Sequence, residues 1–95
     1  MIVQLNQNCP DIAIQLEQTL NNIENTDDVV LAIQLDYREA NTLFHLRKID
    51  TIYFGEYYIE IKQKNNSACY LDYSFILEYC IINAEDLSEF KEGYL

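Results

Sequence analysis

Apolar residues recur along the chain with two periods, and the change of period divides the sequence into elements. From Pro10 to about Asn25 the apolar positions lie four, four and three residues apart, which predicts one apolar face of a helix. These positions are Ile12, Leu16, Leu20 and Ile23. Pro10 suits a first helical turn, and Asp11 favours the positive amino end of the helix dipole. Met1 to Leu5 is expected to form a short edge strand that leads into this helix.

A polar break, Asn25 to Asp28, is followed by a period of two. The alternation from Val29 to Tyr37 predicts a strand with one buried and one solvent-facing side. Thr42 to Asp50 alternates less cleanly, and the short loop Arg38 to Asn41 makes this segment the expected antiparallel partner of the first strand.

The stretch Thr51 to Ile61 reads TIYFGEYYIEI, and Gly55 interrupts its alternation. A β-bulge or a tight turn at Gly55 would change the phase of the inward-facing residues. Before the glycine these residues would be Ile52 and Phe54, and after it Tyr57, Ile59 and Ile61.

The remaining sequence predicts a hairpin, further strand and a short helix. Lys64 to Ser67 suits a hairpin turn because asparagine tolerates positive φ. Strand is expected from Ala68 to about Phe75 and on to Ile82, although the latter part also fits a helical period. Asn83 would then cap a short helix that points Leu87 and Phe90 inward. The predicted fold class is α+β: an N-terminal helix, an antiparallel meander of about four strands and a short C-terminal helix.

The length indicates that residues 1–95 form a single domain, which can bury about 60 to 65% of the surface of its unfolded chain. The amino terminus lacks the basic start and apolar segment of a secretory signal, and no apolar run is long enough for a membrane span. Three cysteines without CxxC spacing favour reduced thiols. The expected localisation is therefore cytoplasmic, with no membrane partner.

Charge is the strongest compositional signal. Sixteen acidic and six basic residues give a formal net charge of −10, and residues 1–37 hold six acids with no Lys or Arg. Direct binding to nucleic acid requires a basic surface that displaces counterions from phosphates. This chain is therefore expected to bind a basic protein rather than nucleic acid itself.

Catalytic, metal and nucleotide sites are not indicated. His45 is the single histidine, and it lies beside Arg47 and Lys48 with no sequence sign of an activated thiol partner. The cysteines Cys9, Cys69 and Cys80 lack zinc-ligand spacing, and the two glycines form no phosphate loop. We expect no enzyme activity, no cofactor and no bound metal.

Eight tyrosines favour a protein-binding surface, since tyrosine offers a large contact area at low entropic cost. If Ile59 and Ile61 face the core, Tyr58 and Glu60 face outward beside Glu56. The alternative is that Tyr58 pairs across the sheet with Tyr70 or Tyr37 beneath a helix. The candidate partner-binding residues are Asp27, Asp28, Asp36, Glu56, Tyr58, Glu60, Asp72, Glu85, Asp86 and Glu89.

Two functions fit these features. The first is a small acidic inhibitor whose carboxylates replace nucleic-acid phosphates in the basic cleft of a nuclease or similar enzyme. An immunity protein for a toxic nuclease, or a phage inhibitor of a restriction or CRISPR nuclease, would have this size and charge. The second is a scaffold or chaperone-like binding module whose acidity serves only solubility. A homodimer formed through an exposed edge strand is left open by the sequence.

Overall fold

Two four-stranded sheets and one α-helix make up the described part of the chain. The computed structural model describes residues 1–89 and 92–93. In chain order the elements are β1 Ile2–Leu5, α1 Asp11–Asn21, β2 Val29–Leu35, β3 Asn41–His45, β4 Ile49–Phe54, β5 Tyr58–Gln63, β6 Ala68–Asp72, β7 Ile76–Asn83 and the two-residue β8 Glu92–Gly93. The fold is α+β, as predicted, but the strands form two sheets instead of one meander.

The first sheet has the order β1-β4-β5-β6, and the second has the order β7-β2-β3-β8. Strands β4, β5 and β6 are antiparallel neighbours, whereas β1 runs parallel to β4. In the second sheet β2 lies between β3 and β7 and is antiparallel to both. Strand β1 therefore lies at a sheet edge, as its position in the sequence predicted.

Two short 3₁₀ segments carry the chain from one sheet to the other. The first corner, Leu46–Lys48, joins β3 of the second sheet to β4 of the first. The second corner, Tyr73–Phe75, joins β6 of the first sheet to β7 of the second. Apolar residues recur across both corners without a polar break, although the alternation at the first corner is imperfect. The sequence therefore placed β3, the first corner and the start of β4 in one segment, Thr42 to Asp50, and joined β6 to β7.

One hydrophobic core is shared by both sheets and by α1. The helix contributes Ala13, Leu16 and Leu20, while Phe44 and Phe54 are the largest buried side chains. The predicted helix is confirmed, although it ends at Asn21, and Ala13 is buried where Ile12 was expected. The other buried members of this core are Leu31, Ile33, Leu35, Leu46, Ile49, Ile52, Ile59, Ile61 and Leu71.

Strand β2 is buried on both faces, so the prediction of one solvent-facing side was wrong. Val30 and Ala32 lie in a second, smaller apolar cluster with Leu43. Leu87 packs against this cluster from the segment Ala84–Glu89. That segment is 3₁₀ rather than the expected α-helix, and Phe90 lies outside the described residues.

The turns follow the sequence closely. Asn66 has φ 71°, as expected for the hairpin between β5 and β6. Gly55 begins a tight turn between β4 and β5, where its N–H donates to the Tyr58 carbonyl at 2.9 Å. The phase change is therefore a chain reversal. Tyr57 was predicted to face inward but lies in this turn and is exposed.

We predict that Gly55→Ala destabilises the domain by about 1 to 3 kcal/mol because the turn is closely packed. A Cβ atom at this position would lie 3.0 Å from the Tyr58 carbonyl oxygen and 3.2 Å from Cε2 of Tyr53. Urea unfolding measures the change. Glu56→Ala in the same turn is the control, with an expected effect within about 0.5 kcal/mol. Equal stability of the two variants would refute the steric argument.

We predict that Tyr73→Phe lowers the free energy of unfolding by about 1 kcal/mol in urea unfolding, because the Tyr73 hydroxyl donates to the Gly55 carbonyl at 2.9 Å. Exposed Tyr70→Phe serves as the control, with little change expected.

The destabilisation caused by Tyr73→Phe should also depend on pH. Burial, followed by the charges of Cys9 and Tyr53, raises the pKa of Tyr73 above its usual 10.0. The unfolded state therefore releases this proton at lower pH, and the stabilisation fades as pH rises above about 10. The difference in free energy of unfolding between the native chain and Tyr73→Phe should therefore become smaller when unfolding is measured at increasing pH. A difference that stays constant with pH would contradict a raised pKa for Tyr73.

Candidate partner-binding surface

The outer face of the first sheet is built from the residues that alternate with the core residues of β4, β5 and β6. The register places Tyr53 opposite Glu60 and Glu60 opposite Tyr70. Tyr58 lies opposite Asp72 in the next row. An acidic side chain therefore adjoins an aromatic one in both rows.

Tyr58 and Tyr70 contact each other diagonally across this face. Their ring centroids are 5.7 Å apart and their planes are inclined at 64°, a geometry that aromatic pairs favour. Both rings remain exposed. The predicted alternative of Tyr58 pairing with Tyr70 is thus found. The described residues place no helix over the pair, because α1 packs on the core side with Ile59 and Ile61.

The second corner extends this face around one end of the molecule. The rings of Tyr37 and Phe75 meet edge to face with centroids 5.6 Å apart. The N–H of Asp36 donates to the Phe75 carbonyl at 2.9 Å. These contacts bring the end of β2 against the second corner.

Hydrogen bonds also hold the second corner to the turn between β4 and β5. The Tyr73 N–H donates to the Tyr57 carbonyl at 3.2 Å, in addition to the hydroxyl bond to Gly55. The Asp72 carboxylate caps the corner by accepting the N–H and the hydroxyl of Ser74, at 2.9 and 2.8 Å. These bonds lower the pKa of Asp72, so this carboxylate stays charged at neutral pH.

Together these groups form what we call the acidic aromatic surface. Its five aromatic side chains are between 40% and 69% exposed, and its four carboxylates are exposed or half-buried. The residues are Asp36, Tyr37, Glu56, Tyr57, Tyr58, Glu60, Tyr70, Asp72 and Phe75. Five of the ten sequence-predicted site residues belong to it: Asp36, Glu56, Tyr58, Glu60 and Asp72.

A second group of predicted carboxylates lies elsewhere. Asp27 and Asp28 precede β2, whereas Asp36 follows it, so the seven-residue strand separates them by about 20 Å. Asp28 and Glu85 line a shallow cleft of about 350 Å³ with Asn83. Asp86 is exposed in the adjoining 3₁₀ segment.

The side chain of Glu89, also predicted at the site, lies outside the described part of the chain. We call Asp27, Asp28, Glu85 and Asp86 the distal carboxylates.

Among the described bases, Arg38 adjoins the acidic aromatic surface next to Tyr37, where its guanidinium donates to the Thr42 hydroxyl at 3.1 Å. Three other bases lie far from the Gly55 turn. Arg47 and Lys48 belong to the first corner, and Lys64 follows β5. Strand β5 runs six residues from Tyr58 to Gln63, which places these bases about 17 to 20 Å from the turn at Gly55. Lys62 is the one base that shares the outer face of the first sheet within the described residues, opposite Thr51.

The thiols show no sign of activation. Burial raises the pKa of Cys69, and burial together with Glu78 raises that of Cys80, whereas nucleophilic cysteines have lowered values. Strand β2 separates His45 from Cys80 in the second sheet. Within residues 1–89 and 92–93, no group of three or more His, Cys, Asp and Glu side chains could hold a metal ion.

Sequence reasoning missed Tyr37, Tyr57, Tyr70 and Phe75 as surface residues. Tyr57 and Phe75 were counted in strands because the alternation passes through the turns that expose them. Tyr37 and Tyr70 occupy positions that read equally as core or surface until the sheets are assembled. The tyrosine excess was the one signal that pointed to them.

No helix in the described residues is long and apolar enough to cross a membrane. No protein-family model, curated protein sequence or solved structure matches this chain.

Proposed function

We propose that this protein is an acidic inhibitor that binds the basic cleft of a nucleic-acid-processing enzyme, such as a nuclease, through the acidic aromatic surface. The observation that carries the proposal is the exposed Tyr58 and Tyr70 pair flanked by Glu60 and Asp72 on an uncovered sheet face. An immunity protein or a phage inhibitor of a restriction or CRISPR nuclease would work in this way.

Charge supports a basic partner. The net charge of −10 steers a positively charged protein toward the inhibitor over distances beyond contact. Asp36, Glu56, Glu60 and Asp72 then stand in for phosphates in the cleft. The N–H and the hydroxyl of Ser74 hold the Asp72 carboxylate in one orientation before binding, so less ordering is required on association.

Aromatic side chains supply what charge alone lacks. Exposed carboxylates accelerate the encounter with a basic enzyme, but salt screens their attraction and the enzyme then dissociates easily. Tyr37, Tyr57, Tyr58, Tyr70 and Phe75 offer large faces and, in the tyrosines, a hydroxyl for hydrogen bonding. Their backbone is held by the second corner and the Gly55 turn, so the surface is ordered in the free protein.

A protein-binding module that uses a sheet edge is the second candidate function. Strand β7, eight residues long, lies at one edge of the second sheet. Its register shift opposite Gln34 and Leu35 leaves Leu77 exposed. An added strand could pair with this edge, and such backbone pairing would respond weakly to salt.

We predict that the immobilised protein retains a basic nucleic-acid-binding enzyme from its source cell, and that duplex nucleic acid competes for it. Inhibition of that enzyme should weaken severalfold or more between about 0.05 and 0.5 M salt, mainly through the association rate. Titrating the captured enzyme at several salt concentrations provides the measurement. Retention that is insensitive to both salt and nucleic acid would favour the sheet-edge module.

We predict that the triple variant Asp36→Asn, Glu56→Gln, Glu60→Gln slows association with the captured enzyme about three- to tenfold. The matched control is Asp27→Asn, Asp28→Asn, Glu85→Gln, which changes the net charge equally but acts on distal carboxylates. Stopped-flow association rates compare the two. A larger effect of the control triple would move the contact to the distal carboxylates and overturn this placement.

We predict that Tyr70→Ala speeds dissociation of the complex about tenfold and leaves the association rate nearly unchanged. An aromatic side chain that becomes buried at an interface mainly lengthens the lifetime of the complex. Surface-immobilised binding measures both rates. Leu77→Ala, an exposed apolar residue on β7, is the control. An unchanged dissociation rate for Tyr70→Ala would exclude this ring from the interface.

A further inference from the structure

A basic cleft lies at the opposite end of the first sheet from the Gly55 turn. It is an open depression of about 500 Å³ between the first corner and the hairpin that joins β5 to β6. Its described lining is Arg47, Lys48, Gln63, Lys64 and Asn65. Three of the six basic residues of an acidic chain thus meet at one depression, and the proposed inhibitor function does not use them.

Backbone hydrogen bonds fix the two walls of this cleft. The Lys64 N–H donates to the Lys48 carbonyl at 2.9 Å, which joins the hairpin to the first corner. Within the hairpin, the Gln63 N–H donates to the Ser67 carbonyl at 2.8 Å. The Asn65 side-chain oxygen accepts from the N–H and the hydroxyl of Ser67, at 2.9 and 2.7 Å. This orientation leaves the Asn65 amide N–H₂ as a donor.

The groups that line the cleft are therefore cationic or amide groups. None of the described lining residues is acidic, and Asp50, two positions after Lys48, is not among them. Three positive charges brought together repel one another unless an anion joins them. The acidic aromatic surface does little to compensate them. Its Gly55 turn lies about 17 to 20 Å away, and Glu60, four residues before Lys64, lies about 13 Å away. Both distances exceed one Debye length at physiological salt.

We propose that this cleft binds a phosphate group carrying at least two negative charges. The Arg47 guanidinium can grip two phosphate oxygens side by side, while Lys48 and Lys64 act as point charges. A carboxylate has one charge and two oxygens and would leave two cations uncompensated. The cleft volume lies in the range of small-molecule sites and exceeds that of a single phosphate, so the ligand class is a phosphorylated small molecule.

Titration of the ¹⁵N-labelled full chain with sodium pyrophosphate at constant ionic strength tests the site. We expect saturable shifts of the backbone amides of Arg47, Lys48, Gln63, Lys64 and Asn65. Arg47→Gln with Lys64→Gln should weaken the pyrophosphate affinity at least tenfold. Arg38→Gln with Lys62→Gln removes the same charge outside the cleft lining and should change the affinity less than threefold.

A nucleoside triphosphate forms the second arm of the experiment. Tighter binding than pyrophosphate, with added shifts at the rim of the cleft, would identify a nucleotide, whereas equal binding would identify the phosphate group alone. Shifts that do not saturate by about 20 mM pyrophosphate, or that chloride reproduces at the same ionic strength, would overturn the site. Equal loss in both double variants would also overturn it, because charge in general would then be the cause. No partner protein is needed, so this result is independent of the inhibitor proposal.

Discussion

The rest of this structure depends on one constraint: both sheets and α1 bury their apolar residues in a single core. Both sheets direct a face into the same interior, and α1 closes it with Ala13, Leu16 and Leu20. Hydrophobic burial of this kind is the main favourable contribution to folding. Because α1 is needed there, no described helix remains to cover the opposite face of the first sheet. That face is left in solvent, together with the tyrosines that alternate with the core residues of its strands.

The two 3₁₀ corners follow from the same constraint. Each one redirects the chain from one sheet to the other while Leu46 or Tyr73 stays against the core. The corners also sort the charges. The second corner gathers Asp36, Asp72 and the exposed aromatic rings, whereas the first corner carries Arg47 and Lys48 to the far end of β5. Asp27 and Asp28 precede β2 beside the first corner, because Val30 pairs with His45. The basic cleft is therefore a local feature of an otherwise acidic surface.

The sequence predicted the local elements well because their causes are local. Helix α1, strand β2 and its antiparallel partner, and the Asn66 hairpin were all foreseen from periodicity and turn chemistry. The division into two sheets was not foreseen, because no glycine, proline or polar break marks either corner in the sequence. The exposure of Tyr57, Tyr70 and Phe75 could not be inferred either, since it depends on which sheet face α1 covers. Asp36 and Asp72 are far apart in sequence and are brought to the same corner by the bond between Asp36 and Phe75 and by the cap at Ser74.

A local basic cleft on an otherwise acidic surface is the central claim, and the near-surface electrostatic potential of the free protein tests it most directly. Paramagnetic relaxation of amide protons, compared between a cationic and an anionic nitroxide co-solute, reports this potential residue by residue. The account predicts that the cationic probe dominates at Glu56, Tyr57 and Asp72, and that the preference reverses at Lys64 and Asn65. A uniformly negative potential over the whole surface would contradict it.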